Sequence, residues 1–369
     1  MIRPFRLGDI FLVQRLAGQA TKLNAAQALL FPKSPSLNAL SAVIPWGDAR
    51  VTTYILQQKG NQLARAGFVQ VQRRPGRPEA DLLLLAPALD TPSGHPAIWE
   101  KLLSHFIQEA ATDLARIYCD VPDQPLPVNT LKHVGFVPYN RETIWRLTRD
   151  QPFHPLSDPG GKVLMRSLRP EDEWAVGLLY ARVTPEPIQR AEGMGPESNS
   201  STPPFLQPNR LGAGHTFVLE AVGEVAGCVQ VQAGRRGVWL RICADMTNPE
   251  QQILNLLVNH ALAVVRETGL RLPVYIGVGE HHGGLSAVLA DYGFAPFTDR
   301  AKMVKYVVQW VRDAVPSYVP ALETVTDALP SNFSLPEQPH IVQLSRTKPS
   351  VQEASLLPDQ HWMPPQPRW

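Results

Sequence analysis

The chain has 369 residues, 44% of them apolar and 18% charged, which is enough for two ordinary hydrophobic cores and unlike the composition of a disordered chain. Lys and Arg total 35 against 33 Asp and Glu, a net charge of +2 that is too balanced for a surface built to neutralise phosphates, so nucleic acid is not an expected partner. Cys119, Cys228 and Cys243 lack metal-ligand spacing, so no metal is expected and the thiols read as buried small hydrophobes in a reducing compartment. With no signal-peptide pattern at the amino terminus and no run of ~18 apolar residues, neither secretion nor a membrane span is expected, and the default address is cytoplasmic.

Arg3 and Phe5 read as a short strand, followed by a helix beginning about Gly8 with Ile10, Val13 and Leu16 on one face. A second short helix is expected over 37–43, after Pro32 and Pro35. Strands over 54–58 and 62–72 flank Lys59-Gly60-Asn61 as a hairpin. The apolar run 81–86 then suits a central strand buried on both faces. Residues 97–116 carry the longest helical pattern of this half, with Ile98, Leu102, Leu103, Phe106 and Ala110 on one face. A strand over 117–121 and a helix through Val128, Leu131 and Val134 follow, the helix stopped by Gly135 in the manner of a C-cap. A strand or hairpin over 136–147 completes the unit.

The same order then recurs. A helix is expected over 171–181, a hairpin through Gly223, a strand over 238–243, a helix over 250–268, a strand over 274–278, a helix over 285–292 and a last strand region over 294–311. Local sequence repeats with it. Gly67-Phe68-Val69-Gln70-Val71-Gln72 is echoed by Gly227-Cys228-Val229-Gln230-Val231-Gln232, the Arg3, Arg6, Asp9 opening by Arg166, Arg169, Asp172, and Gly135-Phe136-Val137-Pro138-Tyr139 by Gly293-Phe294-Ala295-Pro296-Phe297. One fold is therefore expected twice, because a solenoid repeat would be shorter and recur more often. Residues 151–161 read as the linker, 186–214 as a mobile loop or lid, and the Pro-rich stretch beyond Pro316, with Trp362 and Trp369, as an extended or disordered tail.

The element order, the Arg169-Pro170-Glu171-Asp172 opening, the long helix behind a buried strand and the Gly-Phe-x-Pro-aromatic close together resemble the GNAT superfamily of acyl-CoA-dependent N-acetyltransferases. The resemblance covers about 2–149 and 163–312. It implies an α+β fold class with two tandem GNAT-like domains, each a mixed, mostly antiparallel twisted sheet flanked by about four helices. The domain boundaries expected are 1–149, a linker over 150–162, 163–313, and a tail over 314–369.

In that family two central strands splay apart, acyl-CoA lies in the V between them, and its pyrophosphate rests on backbone N–H groups of a Gly-rich turn at the start of the long helix. The first copy offers Ala86, Ala88, Ser93, Gly94, His95 and Ala97 for this role, with one glycine and a bulky Trp99. Its Gln124 stands where the family often has an Asn. The second copy has Thr247-Asn248-Pro249-Glu250-Gln251-Gln252, where Asn248 and Pro249 describe a self-capped helix end and Glu250 opposes a diphosphate. The amino-terminal domain is therefore the expected cofactor site, with acetyl-CoA as cosubstrate. The positions of the family's proton-donating Tyr hold Leu131 and Leu289, so neither copy has the usual general acid.

Two residues stand as catalytic candidates. Asp120, in Tyr118-Cys119-Asp120-Val121, lies where the splayed strands meet the ligand, and His282, in Glu280-His281-His282-Gly283-Gly284, is able to act as acid or base near neutral pH. The alternative for the histidines, and the preferred one, is a solvated loop. Asp90 and Asp245 read first as turn caps. Alternation puts the glutamine pairs Gln70/Gln72 and Gln230/Gln232 on the solvated face of the sheet, with an acceptor-lining role as the other reading. The expected function is acyl transfer from acyl-CoA to an amine of a small molecule or peptide. The alternative is a catalytically inactive tandem module serving as a ligand-binding or interaction scaffold. Two copies in one chain imitate a dimer, which predicts a monomer in solution.

Overall fold

The computed structural model describes residues 1–43, 51–57, 66–149, 163–194, 203–204, 206, 214–221, 223–245, 252–270 and 272–307. These belong to one compact unit, Met1–Val311. The expected linker, the tail and most of the expected lid lie outside the described residues. The first copy runs β1 (Ile2–Pro4), α1 (Ile10–Ala17), β2 (Thr21–Lys22), α2 (Ala25–Leu30), α3 (Pro35–Ser41), β3 (Val51–Gln57), β4 (Ala66–Arg73), β5 (Glu79–Ala86), α4 (Pro96–Ala110), β6 (Arg116–Pro122), α5 (Pro125–His133) and β7 (Val137–Leu147). The second runs β8 (Val163–Ser167), α6 (Glu173–Val183), α7 (Glu186–Ala191), β9 (Gly214–Ala221), β10 (Glu224–Ala233), β11 (Val238–Ala244), α8 (Ile253–Glu267), β12 (Val274–Gly279), α9 (Gly283–Asp291) and β13 (Ala295–Tyr306). Helix α7 stands at the start of the stretch expected to be a loop, because Ile188 and Ala191 bury an apolar face there.

The strands form one continuous sheet in the order β1-β3-β4-β5-β6-β13-β7-β12-β11-β10-β9-β8, with β2 paired to β5 off this path. The last strands are exchanged. β13 of the second copy pairs antiparallel with β6 of the first, β7 of the first pairs antiparallel with β12 of the second, and β7 and β13 pair with each other between them. Each half of the sheet is completed by a strand from the other copy, in the manner of a domain swap within one chain.

The repeated Gly-x-Val-Gln-Val-Gln segment has a packing explanation. A Cβ on Gly67 would lie 2.5 Å from Ile98 Cγ2, and one on Gly227 would lie 2.8 Å from Leu257 Cδ1, so both glycines let the long helices α4 and α8 rest on the strand. Val69 and Val71 join the core under α4, and Val229 and Val231 the core around α8. The glutamines do not form a solvated face, as alternation had suggested. Gln70, Gln72, Gln230 and Gln232 are all buried, since this face is covered as well: Gln70 Nε2 donates to Pro35 O at 2.7 Å and to Thr53 Oγ1 at 3.2 Å.

The repeated Arg and Asp opening is a corner brace. Arg3 grips Asp9 through two hydrogen bonds of 2.6 and 2.7 Å, Arg166 grips Asp172 at 2.6 and 2.9 Å, and the same carboxylates accept from the backbone N–H of Arg6 and Arg169 at 2.8 Å. Each brace turns an outer strand into the first helix. The Arg166 guanidinium holds the buried Asp172 carboxyl below its ordinary range. Asp172→Asn is expected to cost about 1–3 kcal/mol in denaturant unfolding at pH 7. Because the folded pKa is depressed, that difference is fully present above the unfolded value of ~4 and shrinks as pH falls through the folded pKa.

Candidate functional site

Two clefts are expected, one where β5 and β6 part and one where β11 and β12 part. In the first copy the parallel pairing ends at Asp81 and Tyr118, and in the second at Leu240 and Ile276. Beyond those points the two copies differ. In the first copy the chain itself enters the V. Thr21 and Lys22 pair with Leu85 and Leu84, the Ala88 N–H donates to Gln19 O, the Leu23 N–H donates to Leu83 O at 2.8 Å and the Asp120 N–H donates to Leu23 O at 2.9 Å. Residues 19–25 thus take backbone groups on both walls. Among the described residues no strand does the same between β11 and β12.

The turn expected to cradle phosphate in the first copy has largely spent its donors. The Gly94 N–H donates to Thr91 O at 2.8 Å, Ser93 Oγ donates to Gln19 Oε1 at 2.8 Å, and the Ala97 N–H donates to His95 Nδ1 at 3.2 Å. Gly94 is explained by crowding, since a Cβ there would collide with Ala88 O. Trp99, which looked out of place, is fully buried with its Nε1 donating to Pro87 O at 2.8 Å. Ala86 is buried opposite Phe68 in the β4–β5 ladder. Gln124 is exposed at the start of α5. In the second copy, Thr247 to Gln251 lie outside the described residues; α8 begins at Ile253, after Gln252 at φ 45°.

Asp120 is a structural tie rather than a free base. Its carboxylate accepts from the Ala25 N–H at 3.0 and 2.8 Å and pairs with Arg300 at 2.6 Å, while Arg300 also donates to Lys22 O at 2.6 Å. The cluster staples residues 22–25 to β6 and β13. Leu131 and Leu289, at the positions of the expected proton donor, are fully buried core residues. Asp245 pairs with Arg182 at 3.1 Å.

A cavity of about 720 Å³ lies between the copies. Its walls come from both: Asn24 and Gln27 beside α2, Tyr118 on β6, Tyr139 and Glu142 on β7, Tyr180 and Glu192 around α6 and α7, Arg241 to Cys243 on β11, Gly277 and Gly279 on β12, His281 and His282 after it, and Lys302 on β13. Both clefts reach this cavity where their strands part, the first through Asp81, Tyr118 and Asp120 and the second through Arg241 to Cys243, Gly277 and Gly279. Tyr118 donates to Ala191 O at 2.9 Å, tying α7 across to the first copy, and α2 packs the other way through Leu30 onto a cluster with Trp239 and Tyr275.

The two histidines do not form the solvated loop that was preferred for them. They lie in a single helical turn before α9, rings 3.9 Å apart, and His281 Nδ1 and His282 Nε2 are buried without a hydrogen-bond partner among the described residues. Burial, reinforced by His281 and Lys302, pushes the His282 imidazole down to about 4, so it is neutral at pH 7. Burial also pushes the Tyr118 and Tyr139 phenols up, so neither ionises near neutral pH. Sequence reasoning missed Glu192, hidden in the presumed loop, and Arg241. A charged residue inside the apolar run Val238-Trp239-Leu240-Arg241-Ile242-Cys243 was the available signal.

Neither a family model nor a curated protein matches this chain. Among solved structures, a tandem GNAT protein from the clavulanic acid biosynthesis pathway is similar at a TM-score of 0.50 and 16% identity, over 84% of this chain and 98% of that one. A GCN5-related N-acetyltransferase from Sphaerobacter thermophilus gives a TM-score of 0.49 at 14% identity, over 83% of this chain and 95% of that one. The protein thus has an α+β fold built twice from a mixed sheet and its covering helices. That fold is the tandem GNAT fold, as the first of these likenesses shows.

The burial of His282 has a measurable consequence. Its ring is expected to show no protonation step above pH 5 in an NMR titration. Because the folded pKa is depressed below the ordinary ~6.5, stability is retained above pH 6.5 and declines as pH falls toward 4; His282→Gln is expected to flatten that slope.

Proposed function

We propose that this chain is an acyl-CoA-dependent N-acyltransferase whose working cleft is the parted pair β11 and β12, opening on the cavity between the copies. The observation that carries the reading is the contrast between the clefts. Residues 19–25 occupy the first past Asp81 and Tyr118, whereas no strand among the described residues enters the second, and the cavity that both reach is lined with ionisable side chains from both copies. This departs from the sequence expectation, which favoured the amino-terminal copy, because the donors counted there already serve the turn itself.

The acyl thioester supplies the group to be moved. Overall, the amine forms an N–C bond, the C–S bond breaks, the amine gives up a proton and the departing sulfur takes one up. The strand edge of β11 past Leu240 offers backbone N–H groups of the kind that polarise a carbonyl without reorganising. Glu192, whose Oε2 accepts from Tyr180 OH at 2.5 Å, is a carboxylate suited to receive the amine proton, and neutral His282 lines the same space. Holding both reactants in one enclosed space supplies much of the rate enhancement such a reaction needs.

Calorimetric titration with acetyl-CoA tests the reading. One molecule is expected to bind per chain. Ser93→Glu puts a carboxylate at an exposed position in the turn just before α4 and is expected to leave the affinity within about twofold, under 0.5 kcal/mol. A loss of ~tenfold or more would return the cofactor to the first copy. No binding at near-millimolar acetyl-CoA would favour the non-catalytic scaffold instead.

A further inference from the structure

Most charges facing the cavity are already compensated by partners within the protein. Arg74 pairs with Glu79 at 3.0 Å and Asp81 at 2.6 Å, Lys302 pairs with Glu142 at 2.8 Å, and Asp120 pairs with Arg300 at 2.6 Å. Two charges are not compensated in this way. Arg241, half-buried on β11, makes no hydrogen bond or ion pair among the described residues. Glu192, just past α7, accepts from the Tyr180 hydroxyl and pairs with no cation among the described residues.

These two residues face the same space from different elements. Burial lowers the pKa of Arg241 while the nearby Glu192 carboxylate raises it, so they lie within electrostatic reach, yet no ion pair joins them. A guanidinium withdrawn from water without a partner is costly, and a carboxylate is the group its planar fork matches best. A carboxylate beside tyrosine rings suits an ammonium or amine. A ligand that carries both groups would complete both residues at once, whereas an anion alone or an amine alone would complete one.

We propose that the cavity binds a zwitterion, a free α-amino acid or a compound ending in one, with its carboxylate on Arg241 and its amino group on Glu192. Calling this ligand the acyl acceptor rests on the acyltransferase reading above; its binding does not. An amine carried by Glu192 is also poised to lose a proton to it, which links recognition to the chemistry of transfer.

The test is direct binding without acetyl-CoA, so that it stands or falls separately from the cofactor titration. The probes are the free L-α-amino acids, their α-amides and the matching acids that lack the amino group, measured by calorimetry on the full chain. At least one free amino acid is expected to bind, with its α-amide at least ~tenfold weaker on the wild-type protein. Arg241→Met is expected to abolish the preference for acid over amide. Glu192→Gln is expected to weaken the amino acid while leaving the deaminated acid unchanged. The proposal is overturned if no free amino acid binds at millimolar concentration, or if amides or deaminated acids bind as well as amino acids. The amide comparison needs no variant, so a misfolded Arg241→Met would not rescue the idea.

Discussion

The pairing of β7 with β13 is the constraint on which the rest of this molecule depends. Each is the last strand of its own copy and each is built into the sheet of the other, so the two halves share one hydrogen-bonded ladder instead of meeting through side chains alone. Backbone ladders fix register, because a slip of one residue would turn every side chain to the wrong face. The exchange therefore sets the distance and angle between the copies, and with them the shape of the cavity that Tyr139, Glu142 and Lys302 on these two strands help to line. A cavity whose central wall is a shared ladder has little freedom to open by separation of its two halves.

Against this near-symmetric frame, the asymmetry of the clefts has a simple origin in chain length. After its Asp brace, α1 ends at Ala17 and leaves a connection long enough to lay Thr21 and Lys22 into the first V before α2 begins at Ala25. In the second copy α6 runs on to Val183 and α7 starts at Glu186. Residues spent on an extra turn of helix are not available to form a plug. The plug is then locked by chemistry the second copy lacks: Asp120 and Arg300 bind the backbone of Lys22 and Ala25, whereas the position matching Asp120 by the repeat offset is Val278.

The sequence revealed what periodicity encodes. The long apolar faces of α4 and α8, the buried run of β5 and the two Gly-Phe helix stops all stand where their patterns put them, since each is dictated by local spacing and by glycines at φ +84° and +79°. The burial of the glutamine pairs was not legible, because alternation along one strand reports that its two faces differ and not whether a helix covers the more polar one. A two-residue strand such as β2 has no period to detect. The strand exchange was hidden for a different reason: swapping equivalent strands between two copies leaves the sequence of each copy unchanged.

The same limits bear on the candidate site residues. Asp120 looked reactive because a carboxylate at the end of a buried strand must have a reason to be there, and the reason proved to be an arginine 180 positions away on a strand contributed by the other copy. Ser93, Gly94 and Ala97 looked like a cradle because small residues before a helix permit one, but permission is not vacancy, and the first copy's own chain had already claimed the groups. Arg241 and Glu192 are informative for the opposite reason. Each lines the cavity without an ion pair among the described residues, and a buried charge left without one costs stability that a ligand of opposite charge would restore.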